Sequence, residues 1–360
     1  MTSRGRRLAI AGVTAAVIVA AAGVTGLAVL ASRHESPTTM ALQAGRALAP
    51  AAGVRLTGTT AGGAASLTVT RAATVTGSYT QNGYRIGIIT INGVSYLKAP
   101  TARFWEDEDV FASEATGLPG RWTKAQAADV NVDFGALTPR SISRALEHAG
   151  PHPAVTTVDG GRMIKLATRA ADYYITTATP NRLTRIAAGS EVTSYSLAVT
   201  PLHAAAMGPV FAALHSDVTR LLGAADPDAV LDPVSNVHFG ANCSDPTSCT
   251  ISTKVTVTDI TTPRTLLKMT VYFAASKTGK PFGTCTDETS TATGGADNGV
   301  SVTPSCTLGG SVWSRWFTSH SGNFDTWAWA RYETSVNSPS DVAQLQDSLD
   351  QQQRSPAAKK

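Results

Sequence analysis

The chain of 360 residues carries 30 Lys and Arg against 26 Asp and Glu. Three of those basic residues, Arg4, Arg6 and Arg7, stand at the start, so the rest is close to neutral. Without Lys and Arg clustered among aromatics there is no nucleic-acid footprint, and nucleic acid is excluded as a partner. Charged residues make up only 16% of the chain, and its Thr, Ser, Val, Ala and Gly favour antiparallel β structure with polar faces.

Residues 8–31 form an uncharged apolar run behind the three arginines. It is long enough for a transmembrane helix, and the basic flank holds its N-terminal side in the cytoplasm. The expectation is a cytoplasmic stub and signal anchor over 1–31 and a spacer over 32–37, with everything after them extracytoplasmic. Val29-Leu30-Ala31 also offers a cleavage site before Ser32, so the alternative is a secreted chain. No cysteine lies near residue 31, which leaves no lipidated anchor.

A first domain is expected over 38–200. Ser36-Pro37 opens a helix that runs through Leu48. Leu67 and Val69 alternate with polar residues, and a second strand runs to Tyr79. Asn82-Gly83 and Asn92-Gly93 then mark two tight hairpin turns, with Ile86 and Ile88 in the strand between them. Phe104 to Phe111 surrounds four successive carboxylates, Glu106 to Asp109. Their spacing lacks the calcium-loop pattern, and a solvated helix N-terminus is the expected account. Thr138-Pro139 caps another helix, and short strands return from Ala154 onward.

The segment Gly93-Val-Ser-Tyr96-Leu-Lys-Ala-Pro100, followed by Phe104-Trp105 and Leu118-Pro-Gly-Arg-Trp122, resembles LolA-like cell-envelope carriers of the LppX and LprG kind. The resemblance covers residues 40–200. It implies an antiparallel half-barrel closing over helices around a lipid-sized cavity, although the lipidated cysteine usual in that family is missing. Ile86, Ile88, Tyr96, Phe104, Trp105 and Trp122 become the candidate ligand-binding residues for a lipid or other lipophilic molecule. The competing reading is that they plug the half-barrel as ordinary core, which leaves a module for an envelope protein partner.

A second domain is expected over 201–350. A helix begins at Gly208-Pro209, with Val210, Phe211, Leu214, Val218 and Leu221 at helical spacing. Strands follow around Val255, Leu267 to Phe273, Val300 to Val302 and Val312 to Phe317, which suggests a small β sandwich. Cys243, Cys249, Cys285 and Cys306 make an even set in an exported chain, and sequential disulfides are favoured. Their spacings lack the close Cys-x-x-Cys pairs of structural zinc sites. Trp327 and Trp329 share a strand face; burial in the sandwich is the expectation, while exposure would make a patch for glycan or protein. Residues 351–360 read as a disordered tail. The fold class is thus α+β.

No nucleophile elbow, HExxH pair or phosphate loop occurs, and Thr278-Gly279-Lys280 lacks the earlier glycine of a Walker motif. His215-Ser216-Asp217 are adjacent on one helix, where their side chains diverge. No cofactor and no metal is implied, and the chain is expected to bind rather than catalyse.

Overall fold

A computed structural model describes residues 36–355 apart from 111–114, 126–131, 149–152, 159, 190–193, 261–263, 294–298 and 321–325. The apolar run 8–31 lies outside the described residues, and among those described no helix is long and apolar enough to cross a membrane. The fold is mixed α+β with a large open antiparallel sheet and, among the described residues, six α-helices.

Helix α1 (Pro37–Leu48) is capped by Ser36, whose side chain accepts from the Thr39 amide. Five strands follow: β1 (Gly53–Thr60), β2 (Gly63–Thr70), β3 (Val75–Gln81), β4 (Tyr84–Ile91) and β5 (Val94–Lys98). Asn82 and Gly83 take φ of 51° and 81°, and Asn92 and Gly93 take 52° and 80°. Positive φ at both central residues is what a type I′ turn needs, and its twist matches that of the flanking strands. After α2 (Ala102–Asp107) come β6 (Thr123–Lys124), α3 (Pro139–Glu147), β7 (Ala154–Val158), β8 (Gly161–Ala167), β9 (Asp172–Thr176), β10 (Leu183–Gly189) and β11 (Ser194–Leu202). Thr138 caps α3 by accepting from the Ser141 amide.

These eleven strands make one sheet in the order β6-β5-β4-β3-β2-β1-β11-β10-β9-β8-β7. Leu97 of β5 and Ile164 of β8, near opposite ends, belong to one buried cluster with Ala44 and Leu48 of α1, Phe104 and Trp105 of α2 and Ile142 of α3. A flat sheet would hold its ends apart, so the strands curve around these helices. Gly45 of α1 permits the tight crossing with α3, because a Cβ there would stand 3.2 Å from the Ser143 carbonyl oxygen.

Helix α4 (Ala204–Arg220) begins four residues before the expected start, and Pro209 lies inside it. The strong helix formers Ala204 to Ala206 and Met207 extend it backwards. Its apolar stripe, Met207, Phe211, Leu214 and Val218, covers the outer face of the curved sheet over Ile89, Ile91 and Tyr96. Leu349 of α6 (Pro339–Arg354) joins that cluster. Helix α6 carries regular structure through Arg354, four residues into the stretch expected as a tail; residues 356–360 lie outside the described set.

Between α4 and α6 lie three three-stranded sheets. They comprise β12 (Val230–Pro233), β15 (Val255–Thr258) and β18 (Val300–Val302); β13 (His238–Phe239), β14 (Ser248–Ser252) and β19 (Ser305–Gly309); and β17 (Gly283–Thr293), β16 (Arg264–Ala274) and β20 (Trp327–Ser335). Met269, Val271 and Phe273 of β16 face Ile251 and Leu308 of the second sheet in one buried cluster. Cys243 pairs with Cys249 and Cys285 with Cys306, with sulfurs 1.99 and 2.04 Å apart, in the sequential arrangement.

Residues 312–317, expected as a strand, form part of helix α5 (Gly310–Ser319) instead. Trp313, Trp316 and Phe317 recur at three- and four-residue spacing and present one face to the cluster. That packing overrides the strand preference of Val, Trp and Phe. Arg121 ties the two regions together by donating to the carbonyls of Gly223 and Thr334, each at 3.0 Å.

Candidate ligand-binding site

The six candidate residues fall into two groups. Ile86, Ile88, Phe104 and Trp105 belong to the core inside the curved sheet. Tyr96 and Trp122 belong to the cluster on its outer face. All six are buried, so they do not converge on one open cavity. Phe104 packs edge-on against Tyr84 at 5.9 Å and Trp105 at 4.9 Å, which fills the interior beside Ile86 and Ile88. The indole nitrogens of Trp105 and Trp122 have no hydrogen-bond partner among the described residues.

Tyr96 borders a separate hollow of about 450 Å³ with Val94, Lys124 and Asn337, and another hollow lies at the β3–β4 hairpin end of the sheet. A hollow of about 510 Å³ is floored by Leu67, Tyr79, Val132 and Phe134. Its rim includes Gln81 and Asn82 of the β3–β4 hairpin with Asp107 and Glu108. Chain geometry explains this arrangement. Helix α2 ends at Asp107, so the four carboxylates lie at its C-terminal end and beyond it, not at an N-terminus as expected.

The helix dipole disfavours negative charge there, and side chains compensate. Arg103 pairs with Glu106 at 3.3 Å and with Asp107 at 3.0 Å. Glu108 Oε1 accepts from Gln81 Nε2 at 2.8 Å and from Asn82 Nδ2 at 2.9 Å. Gln81 Oε1 in turn accepts from the Tyr79 hydroxyl at 3.0 Å. A polar relay thus runs from the apolar floor at Tyr79 to the acidic rim at Glu108. Among the described residues no Lys or Arg lines this hollow.

A second hollow of about 340 Å³ adjoins it, sharing Thr60 and Ser194. Tyr195 stands in its wall. Burial first, then the neighbouring Tyr173 and Asp133, push the Tyr195 phenol up to about 12, so it stays a neutral hydroxyl at any ordinary pH. Together the hollows offer apolar surface, hydroxyls and amides, with Asp107 and Glu108 on the rim of the first and Asp172, paired with Lys165 at 2.7 Å, in the wall of the second.

Sequence reasoning passed over Leu67, Tyr79, Val132 and Phe134 as site residues. The usable signals were the Asn82-Gly83 turn, which puts Tyr79 near a hairpin tip, and the carboxylate run. Among the described residues no group of three or more His, Cys, Asp or Glu side chains could hold a metal ion. No protein-family model and no curated protein matches the chain.

Proposed function

We propose that this is a membrane-anchored, extracytoplasmic binding protein of the LolA-like type, held by residues 8–31. Its half-barrel takes a lipophilic ligand at the hairpin end, with no catalysis. The observation that carries this reading is the apolar-floored, acid-rimmed hollow between the β3–β4 hairpin and the end of α2. Its volume falls within the usual few-hundred to 1,000 Å³ range of small-molecule sites. Because Glu108 and Asp107 stand on the rim, the favoured ligand carries a neutral hydroxylated or amine head. A carboxylate head at about 4 Å from Glu108 would meet a repulsion of roughly 1 to 4 kcal/mol, depending on the local dielectric.

The competing reading, a protein-interaction module without a small ligand, is favoured by the packed interior around Ile86, Ile88 and Phe104. Titration of the exported chain from residue 36 with a fluorescent monoacylglycerol, and with a fatty acid of equal length, separates the two. The expected result is saturable binding of the neutral probe and at least about fivefold weaker binding of the acid, a gap that Glu108→Gln narrows. Val132→Asp should abolish binding and leave the circular dichroism spectrum unchanged. If neither probe binds, the ligand reading fails and the interaction module replaces it. Fractionation of cells expressing the whole chain tests the anchor: recovery as a soluble species starting at Ser32 overturns it.

A further inference from the structure

Strand β20 closes one side of its sheet and, among the described residues, pairs only with β16, from Ala274↔Trp327 to Leu266↔Ser335. On its other side, among the described residues, the main chain of 326–333 makes no hydrogen bond. Its side chains alternate strictly. Trp327, Trp329, Arg331 and Glu333 are exposed, whereas Ala328, Ala330 and Tyr332 are half-buried against the cluster beneath. Trp327 and Trp329 were expected inside a sandwich core, and instead they are 43% and 38% exposed.

The connection from β12 to β13 runs alongside this open edge. Between them lies a groove of about 700 Å³, lined by Val237 and Phe239 on one wall, Trp327 and Trp329 on the other, with Ala328 and Ala330 also lining it. Of the seven large apolar side chains exposed among the described residues, three line it: Phe239, Trp327 and Trp329. Trp329 is braced by stacking on Tyr272, with ring centroids 5.7 Å apart. Among the described residues Lys277 is the one charged residue lining the groove.

We infer that this groove binds an extended, proline-free segment of another polypeptide, which adds as a strand to β20. An open strand edge is a row of donors and acceptors that another strand satisfies in register. A sugar stacked on the tryptophans would leave that row unpaired. Edge-to-edge docking of a second copy would have to displace the 233–239 connection, whereas a single extended segment fits between the walls. The alanines leave the floor shallow, so alternate side chains of the incoming strand settle over Ala328 and Ala330 against Val237 and Phe239. The whole of this sheet is antiparallel. An antiparallel addition brings the C-terminal end of the segment to Trp327, beside Lys277, where a carboxylate is favoured.

The test is selection of a displayed random decapeptide library on the full chain in detergent, followed by affinity measurement with synthetic copies of the enriched peptides. Enriched sequences should alternate apolar and polar residues, lack proline and carry an acidic C-terminal end. N-methylation of alternate amides should weaken binding at least about a hundredfold, Lys277→Glu at least about fivefold, and amide exchange within 327–333 should slow on binding. Ala330→Leu, which fills the floor and keeps the backbone donor, should weaken binding without lowering the melting temperature. The inference is overturned by enrichment of proline-rich peptides, by equal binding of N-methylated copies, or by no enrichment at all. It is equally overturned if chitohexaose alone engages the tryptophans, or if 327–333 becomes protected through self-association.

Discussion

Replacing Tyr96 by Phe removes one hydroxyl at the place where the large sheet meets the C-terminal region. Tyr96 on β5 donates to Asn337 Oδ1 at 3.1 Å, and Asn337 Nδ2 donates to the Leu221 carbonyl at 2.8 Å. Tyr96 and Asn337 are both buried, so the variant strands an amide oxygen away from water while the ring keeps its packing. Leaving such an acceptor unsatisfied costs roughly 1 to 3 kcal/mol. With an unfolding entropy of about 2.1 cal/mol/K per residue over some 320 residues, a loss of about 2 kcal/mol lowers Tm by about 3 °C. If the two regions melt separately, the entropy of either transition is about half as large, and the same loss moves one transition by about 6 °C while the other stays put. Differential scanning calorimetry of wild type and variant decides between these outcomes. The packing of α4 and α6 across the outer face of the sheet predicts a single endotherm displaced as a whole. Two endotherms, or a displacement under about 1 °C, would refute the reasoning.

Two further outcomes follow from the chemistry of single sites. Closing the loop between Cys285 and Cys306, 21 residues apart, restricts the unfolded chain, so the double serine variant should lose about 3 kcal/mol in a urea titration; a loss under about 1 kcal/mol would show that the bond adds little. Burial pushes the Asp226 carboxyl above its usual range, against hydrogen bonds from the Asp228 amide and the Thr265 hydroxyl that favour the charged form. A raised folded-state value means that its stabilising contribution is whole below the ordinary carboxylate range and is lost as pH rises through the folded-state value. Asp226→Asn should therefore gain on wild type between pH 4 and 7 in urea midpoints, and a difference that stays constant with pH would contradict this.

Local chemistry was the legible part of the fold. Asn82-Gly83 and Asn92-Gly93 carry their own turn geometry, Ser36 and Thr138 cap the helices they precede, and the cysteines pair with their nearest neighbours in sequence. Each depends on a few adjacent residues, or on a short loop closing. The failures lie where distant packing decides. Val312 to Phe317 has the composition of a strand, yet Trp313 packs on Phe273 and Trp316 stacks on Phe282 from one face of a helix. The two tryptophans of β20 stay exposed because no further strand of the described chain covers that edge.

The division of the six candidate residues was itself open to derivation. A two-residue turn at Asn92-Gly93 fixes the register of β4 against β5 and so places Tyr96 opposite Ile89 and Leu97 opposite Ile88, as observed. Residues directly opposite share a face and neighbours along a strand do not. Tyr96 must then lie on the far side of the sheet from Ile86 and Ile88. What the register cannot convey is that α4 and α6 cover that far side, or that the chain after α2 folds back so that Glu108 meets Gln81 and Asn82 from more than 25 residues away. With helices packed on both faces of β4, a ligand has no route through the sheet. The proposed ligand is thus left the hairpin end, where Tyr79, Val132 and Phe134 lie beside the acidic rim.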